Sequence, residues 1–277
     1  MGCYPERRTQ VKILRHEKNL GLPAARNTGL KAACGEYIYH CDSDDFLEPT
    51  ALEQMYATIK KHDADIVWCD WFLSLERCKR VMPQPSYETP IDALKGMLSG
   101  AMKYNVWNKL VRRTLYADNG ITFPSGHSMG EDMTMLCLFA CADSVCHCCQ
   151  PLYHYVRQNT ESFTQMDRQI NACHLKDLRY NMERAIKFLL LKYGDSLEKE
   201  LAFFQLETKF PFLLTGDKVS YLRWHEWYPD ANCFIWQNKQ ISFRSRLLQY
   251  MAAKGQFWYV RLYHFLLFHI IYGVVYK

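Results

Sequence analysis

The run Tyr37-Ile38-Tyr39-His40-Cys41-Asp42-Ser43-Asp44-Asp45 constrains this chain most, because an apolar stretch of strand length ends there on three carboxylates. A buried parallel strand delivers its last residues to the crevice at the carboxyl edge of a sheet, where open α/β folds bind ligands. Carboxylates this close repel one another unless a cation neutralises them, and Mg²⁺ or Mn²⁺ takes one or two of them together with phosphate oxygens. The run therefore reads either as a metal-diphosphate site with Asp42, Asp44 and Asp45 as ligands, or as an acidic turn capping the helix that begins near Pro49.

Hydrophobic patterning predicts strands near 11 to 14, 36 to 41, 65 to 71 and 144 to 149, and helices near 22 to 34, 50 to 62, 89 to 99 and 131 to 141. This alternation implies an α/β domain with a mostly parallel core. From about Met166 the chain turns helical, with Leu175, Leu178, Met182, Ala185, Ile186, Leu189 and Leu190 recurring at helical spacing. The expected organisation is an α/β domain over 1–165, a helical extension over 166–240 and a basic, aromatic-rich tail over 241–277. Pro83-Gln84-Pro85-Ser86 reads as a loop, and the segment Phe123 to Gly130 as a second loop feeding Glu131 and Asp132.

An apolar content of 49% in 277 residues supports a sizeable core and excludes disorder. The opening residues carry no apolar run of secretory type, which points to the cytosol and to free, mostly buried thiols among the twelve cysteines. Cys146 to Cys149 forms a C-x-x-C, but on a strand Cys146 and Cys148 face one side and Cys149 the other, so packing explains them better than zinc. After Asp230 there is no acidic residue, while Lys239, Arg244, Arg246, Lys254, Arg261 and Lys277 are basic. The rest of the chain is close to neutral. Basic residues beside Trp258, Tyr259, Tyr263 and Phe265 fit helices lying in the interface of an anionic membrane; a helix docked on the domain's own core and a true span, against which Arg261, His264 and His269 argue, are the alternatives. Basic residues this sparse, without a recognition motif, argue against nucleic acid as a partner.

The segment Asn19-Leu20-Gly21-Leu22-Pro23-Ala24-Ala25-Arg26-Asn27-Thr28-Gly29-Leu30, followed by the strand ending in Asp42-Ser43-Asp44-Asp45, resembles the family 2 glycosyltransferases of the GT-A (Rossmann-like) fold. Val106-Trp107-Asn108-Lys109-Leu110, Gly130-Glu131-Asp132, and Tyr153-His154-Tyr155-Val156-Arg157-Gln158 with Ser162-Phe163-Thr164 look like the family's later motifs in the right order, so the likeness covers 11 to about 165. Family members normally begin with a βαβ unit of about 30 or more residues, whereas ten residues precede Val11 here. The expectation is thus an N-terminally truncated domain, a fragment or a gene read from an internal Met, with strand edges left open.

The resemblance implies an inverting glycosyltransferase that moves a sugar from a nucleotide-sugar donor, with a UDP-sugar expected, to a saccharide or lipid-linked acceptor in surface polysaccharide synthesis. It implies work at the inner face of the cell membrane. Asp132 matches the family's base, which takes the acceptor's proton, and Glu131 positions base or acceptor. The donor set is Arg26, Asp42, Asp44, Trp107, Asn108, Lys109, His154 and Arg157, and the metal, Mg²⁺ or Mn²⁺, would lie on Asp42, Asp44 and Asp45. Arg26 as a solvated helix residue, and Glu131-Asp132 as charges complementing a helix dipole, are the structural alternatives. A catalytically impaired relative acting as a sugar-binding or assembly subunit is the alternative function.

Overall fold

The computed structural model describes residues 5–76, 78–157 and 172–267. Six strands form one sheet: β1 (Tyr37–Tyr39), β2 (Phe46–Leu47), β3 (Ile66–Ser74), β4 (Lys79–Met82), β5 (Lys109–Arg112) and β6 (Val145–Val156). The helices are α1 (Leu22–Ala32), α2 (Ala51–His62), α3 (Pro90–Leu98), α4 (Arg113–Asp118), α5 (Thr134–Cys141), α6 (Ala172–Tyr193), α7 (Glu198–Lys209), α8 (Lys218–Glu226), α9 (Phe243–Ala253) and α10 (Phe257–Phe265).

The order is β1-β5-β3-β6-β2, with β4 beside β3. An α/β domain followed by helices matches the expected class, but the sheet is mixed rather than mostly parallel. β3 and β6 pair in parallel, and every other pairing is antiparallel. The alternation pattern was misleading because three short strands, β2, β4 and β5, lie between the helices it detected and run back against their neighbours. No strand forms at 11 to 14: that segment has no ladder partner among the described residues, and Val11, Ile13 and Leu14 stand exposed. β1, not the 11 to 14 segment, ends the sheet.

Strand alternation along β3 explains the two layers. Ile66 and Trp68 enter a core with α3, α5 and α6, while Val67 and Cys69 enter a second core with Met55 and Ile59 of α2. Ala51, Met55 and Ile59 recur every four residues, so one face of α2 is buried on the sheet. Each such wholly buried large side chain contributes about 1.5–3 kcal/mol. A third core joins α8, α9 and α10 through Trp224, Leu248, Ala252 and Val260. Met182, Ala185 and Leu189 of α6 and Phe204 of α7 pack into the sheet's own core, so these helices brace the sheet directly.

Candidate functional site

Arg26 is the hub of the site. Gly21, at φ +83, makes the turn into α1, a conformation that L side chains rarely adopt, and Pro23 presets the first helical turn. The helix then carries the Arg26 guanidinium inward, where its side chain is 6% exposed. Its Nη2 donates to Asp42 Oδ1 at 3.0 Å, and its Nη1 to Glu131 Oε1 and Asp132 Oδ1, both at 3.1 Å. The solvated-helix alternative is thereby removed for Arg26. One cation ties the acidic turn after β1 to the acid pair ahead of α5.

Neighbouring residues fix both ends. Asn27 closes on the backbone of Phe123, donating to its O at 2.8 Å and accepting from its N at 2.9 Å, which anchors the loop that leads to Asp132. From the other side, Asn181 of α6 donates to the carbonyls of His127 and Met129, and Asp177 accepts from Ser128 N. Gly130, at φ +84, then turns the chain into the short 3₁₀ segment Glu131–Met133. Helix α6 thus holds the loop that leads to Asp132.

Burial pushes Asp132 above the ordinary carboxylate range, with Asp42 adding repulsion and Arg26 and Lys109 opposing it. Glu131 is pushed up to about 7, first by burial and then by Asp132. The two carboxyls, half-buried beside a fixed cation, both hold their protons more readily than exposed acids do.

The acidic turn does not form a three-carboxylate cage. Both Asp45 oxygens serve the turn: Oδ2 accepts from Tyr153 Oη at 2.6 Å and Oδ1 from Val156 N at 2.8 Å. Burial raises Asp45 all the same. Asp42 faces Arg26, and Asp44 is exposed. Among the described residues no group of three or more His, Cys, Asp or Glu side chains is arranged to hold an ion. Tyr153, which sequence reasoning overlooked, also takes the Asp42 N–H at 3.3 Å and stacks on Trp107 at 4.5 Å. Nothing in the run Leu152-Tyr153-His154-Tyr155 sets it apart from its neighbours.

Trp107, Asn108 and Lys109 lie beneath the site. Asn108 and Lys109 are wholly buried. The Lys109 ammonium donates to Lys103 O, Asn105 O and Asn108 Oδ1 at 2.7–2.8 Å, while Asn108 Nδ2 donates to Cys69 O at 2.9 Å. These contacts make the pair a strut between β3 and the 103 to 109 segment, and burial lowers Lys109 to about 7. Lys109→Met should orphan three acceptors, destabilising the chain by about 2–4 kcal/mol and lowering Tm by several degrees in thermal unfolding.

His154 is equally committed, between Glu48 Oε1 at 2.9 Å and Ser74 Oγ at 3.0 Å, with its ring stacked on Phe46 and Phe72. Those contacts pin β2 to β6 and leave no ring nitrogen for a diphosphate. Arg157 follows β6, exposed, with its N–H on Ser74 O. Gln158 and Ser162-Phe163-Thr164 lie outside the described residues. A groove of about 440 Å³ between α1 and β1 is lined in part by Arg26, His40 and Asp42. Burial, reinforced by Arg26, lowers His40 to about 4, so that its imidazole is neutral there.

The profile of glycosyl transferase family 2 matches residues 3–130. The chain is similar to the putative glycosyltransferase EpsH of Bacillus subtilis, 32% identical over 55% of this chain and 46% of that protein. It is also similar to the cholesterol galactosyltransferase of Borreliella burgdorferi, 27% identical over 80% of this chain and 63% of that one. The chain therefore spans about half to two-thirds of the length of these relatives. Its fold superimposes on the crystal structure of S. aureus TarS 1-349 in complex with UDP-GlcNAc with a TM-score of 0.63, at 19% identity, over 96% of this chain and 78% of that one. On sequence and fold together, residues 3–130 match glycosyl transferase family 2, and the chain has the GT-A fold.

Proposed function

We propose that this chain transfers a sugar from a UDP-sugar to a saccharide or lipid-linked acceptor, with inversion at the anomeric carbon, in building a surface polysaccharide. The observation that carries this reading is the Arg26 bridge, which sets a donor-side carboxylate, Asp42, and a half-buried acid pair on one guanidinium. In a single displacement the acceptor hydroxyl attacks the anomeric carbon as the bond to the diphosphate breaks, and Asp132 takes the proton. Glu131 orients it. Arg26 opposes the effect of burial on Asp132 and so favours the carboxylate form that acts as the base. The nucleotide lies in the groove beside α1 and β1, and binding of UDP-GlcNAc by TarS supports a uridine donor.

Asp42 and exposed Asp44 suit a cation that keeps most of its shell on phosphate oxygens, whereas Asp45 is spent on the turn. An Mg²⁺ or Mn²⁺ ion there would supply charge to stabilise the leaving diphosphate. Asp44→Ala should weaken manganese-assisted binding of the UDP-sugar by about tenfold in calorimetry, and unchanged binding would remove Asp44 from the site.

Work at the cytoplasmic face of the membrane is part of the same proposal. Trp258, Phe265 and Leu262 of α10 and Phe243 of α9 stand exposed among Arg244, Arg246, Lys254 and Arg261, which fits an interfacial helix pair. Among the described residues no helix is long and apolar enough to cross a membrane. The test of function is incubation with a panel of radiolabelled UDP-sugars, manganese, and free or polyprenyl-linked saccharides. Transfer of one sugar with inverted configuration is expected. Retention of configuration, or hydrolysis alone, would overturn the reading.

A further inference from the structure

Away from Arg26, strands β3 and β6 assemble a second group of chemical side chains that the sugar-transfer reading does not use. Asp70 and His147 face each other across the parallel pairing, with Nε2 3.1 Å from Asp70 Oδ1 and side chains only 11% and 5% exposed. His147 stacks on Trp68 at 5.4 Å, which fixes the plane of its ring. On its other nitrogen, Nδ1 lies 2.7 Å from Ser86 Oγ and 3.3 Å from Cys149 Sγ. Asp70, His147 and Cys149 therefore stand in line.

The geometry settles which ring nitrogen carries the proton. Asp70 Oδ1 already accepts the N–H of Gln84 at 2.7 Å, so it is an acceptor toward His147 as well, and Nε2 must be the donor. In the neutral ring, Nδ1 is then left as a bare acceptor aimed at Ser86 and Cys149. Burial pulls His147 below its ordinary value, against the opposing pull of Asp70, which keeps the resting ring neutral and able to take a proton.

Strand alternation and an irregularity put the thiol there. His147 and Cys149 are two residues apart and share a face, while Cys146 and Cys148 point into the core with α2. Cys148 pairs with Cys69 but Pro151 pairs with Asp70, so Cys149 and Gln150 bulge out of the ladder opposite the carboxylate. Bulges of this kind re-aim side chains and are frequent beside reactive sites. Cys149 is exposed, so a reagent can reach it.

We propose that Cys149 is a base-assisted nucleophilic thiol, with His147 as its base and Asp70 as the residue that positions the base, and that it is a modification site for soft electrophiles. As Sγ attacks the electrophilic carbon of an alkylating agent, the leaving group departs with the bonding electron pair. The thiol proton passes to Nδ1 and then to water. The product is a thioether and a regenerated neutral imidazole. Ser86 competes for the same nitrogen and holds the thiol in check.

Iodoacetamide at limiting time on the full chain, followed by peptide mass mapping, tests this, with exposed Cys34 and Cys233 as references inside the same molecule. Cys149 should alkylate about tenfold faster than Cys34 or more. His147→Gln should bring that ratio close to one and Asp70→Asn should lower it severalfold, because an amide can donate to Nε2 and reverse the tautomer. Ser86→Ala should hold or raise it, which a merely structural hydrogen bond would not do. Buried Cys69 and Cys137 stay unlabelled in any folded variant and so report misfolding directly. If a variant unmasks them, the wild-type ratio and Ser86→Ala decide. Equal rates for Cys149 and Cys34, a fast Cys149 in folded His147→Gln, or a fall in Ser86→Ala would overturn the proposal.

Discussion

Asp132→Asn should reduce sugar transfer by about 10²-fold to 10⁴-fold while leaving UDP-sugar binding within a factor of a few. The amide keeps the shape of the carboxyl group but cannot accept the acceptor's proton, so the loss falls on kcat and not on donor affinity. The site also makes the outcome specific to the base. Asp132 shares Nη1 of Arg26 with Glu131, so one carboxylate still faces the guanidinium and Asp42 keeps Nη2. Donor-side geometry is therefore preserved. Calorimetric binding of the UDP-sugar and single-turnover transfer, measured on the same preparation, separate the two quantities. Retained turnover would show that another group removes the proton.

The pH dependence follows from the same burial. Both acids of the pair sit above their ordinary values, so activity needing an ionised base should fall on a limb displaced upward from the usual carboxylate range. Asp132→Asn should erase that limb from whatever residual transfer remains. A wild-type profile that stays flat down to the ordinary carboxylate range would contradict the raised pair.

The parts legible in the sequence were those set by local pattern. α1, α2 and α3 fall within two residues of the spans that hydrophobic periodicity predicts, because each buries one face and carries its own punctuation: Gly21-Pro23 before α1, and Thr89 accepting from Asp92 N at α3. The mixed sheet was not legible. β2 has two residues and β5 four, too short to show alternation, and their direction is decided by partners far along the chain. At the site, the acidic turn pointed to Asp42, and the resemblance to the family pointed to Arg26 and Asp132. What the sequence concealed was how their neighbours spend their hydrogen bonds. Lys109 and His154 are ligand contacts by the resemblance, yet each is saturated by protein partners. The reverse holds for Asp70, His147 and Cys149: a bulge between distant strands brings them together, and no spacing along the chain announces it.

Arg26→Met should be the most damaging single change, lowering transfer by more than about 100-fold and stability by about 3–5 kcal/mol. The methionine fills much of the space but leaves Asp42, Glu131 and Asp132 facing one another without the guanidinium that bridges them, with only Lys109 still opposing the rise of Asp132. Two of these carboxyls are already raised by burial with the cation present. Removing it raises them further, so the pair holds a proton at neutral pH and the base is lost. A carboxyl raised above its unfolded value contributes most to stability at low pH, and that contribution drains away as pH climbs from the ordinary carboxylate range toward about 7 for Glu131. In Arg26→Met this decline should extend to higher pH, so urea unfolding at pH 5 and pH 8 should show a wider gap than in the wild type. Activity should move the opposite way, returning in part as rising pH strips the proton from Asp132. Arg26→Lys separates charge from geometry: a single ammonium replaces a guanidinium whose two terminal nitrogens bind three carboxylates. It should recover more stability than transfer. An Arg26→Met variant that transfers sugar at the wild-type rate, with an unshifted pH profile, would show that the acids work without the bridge.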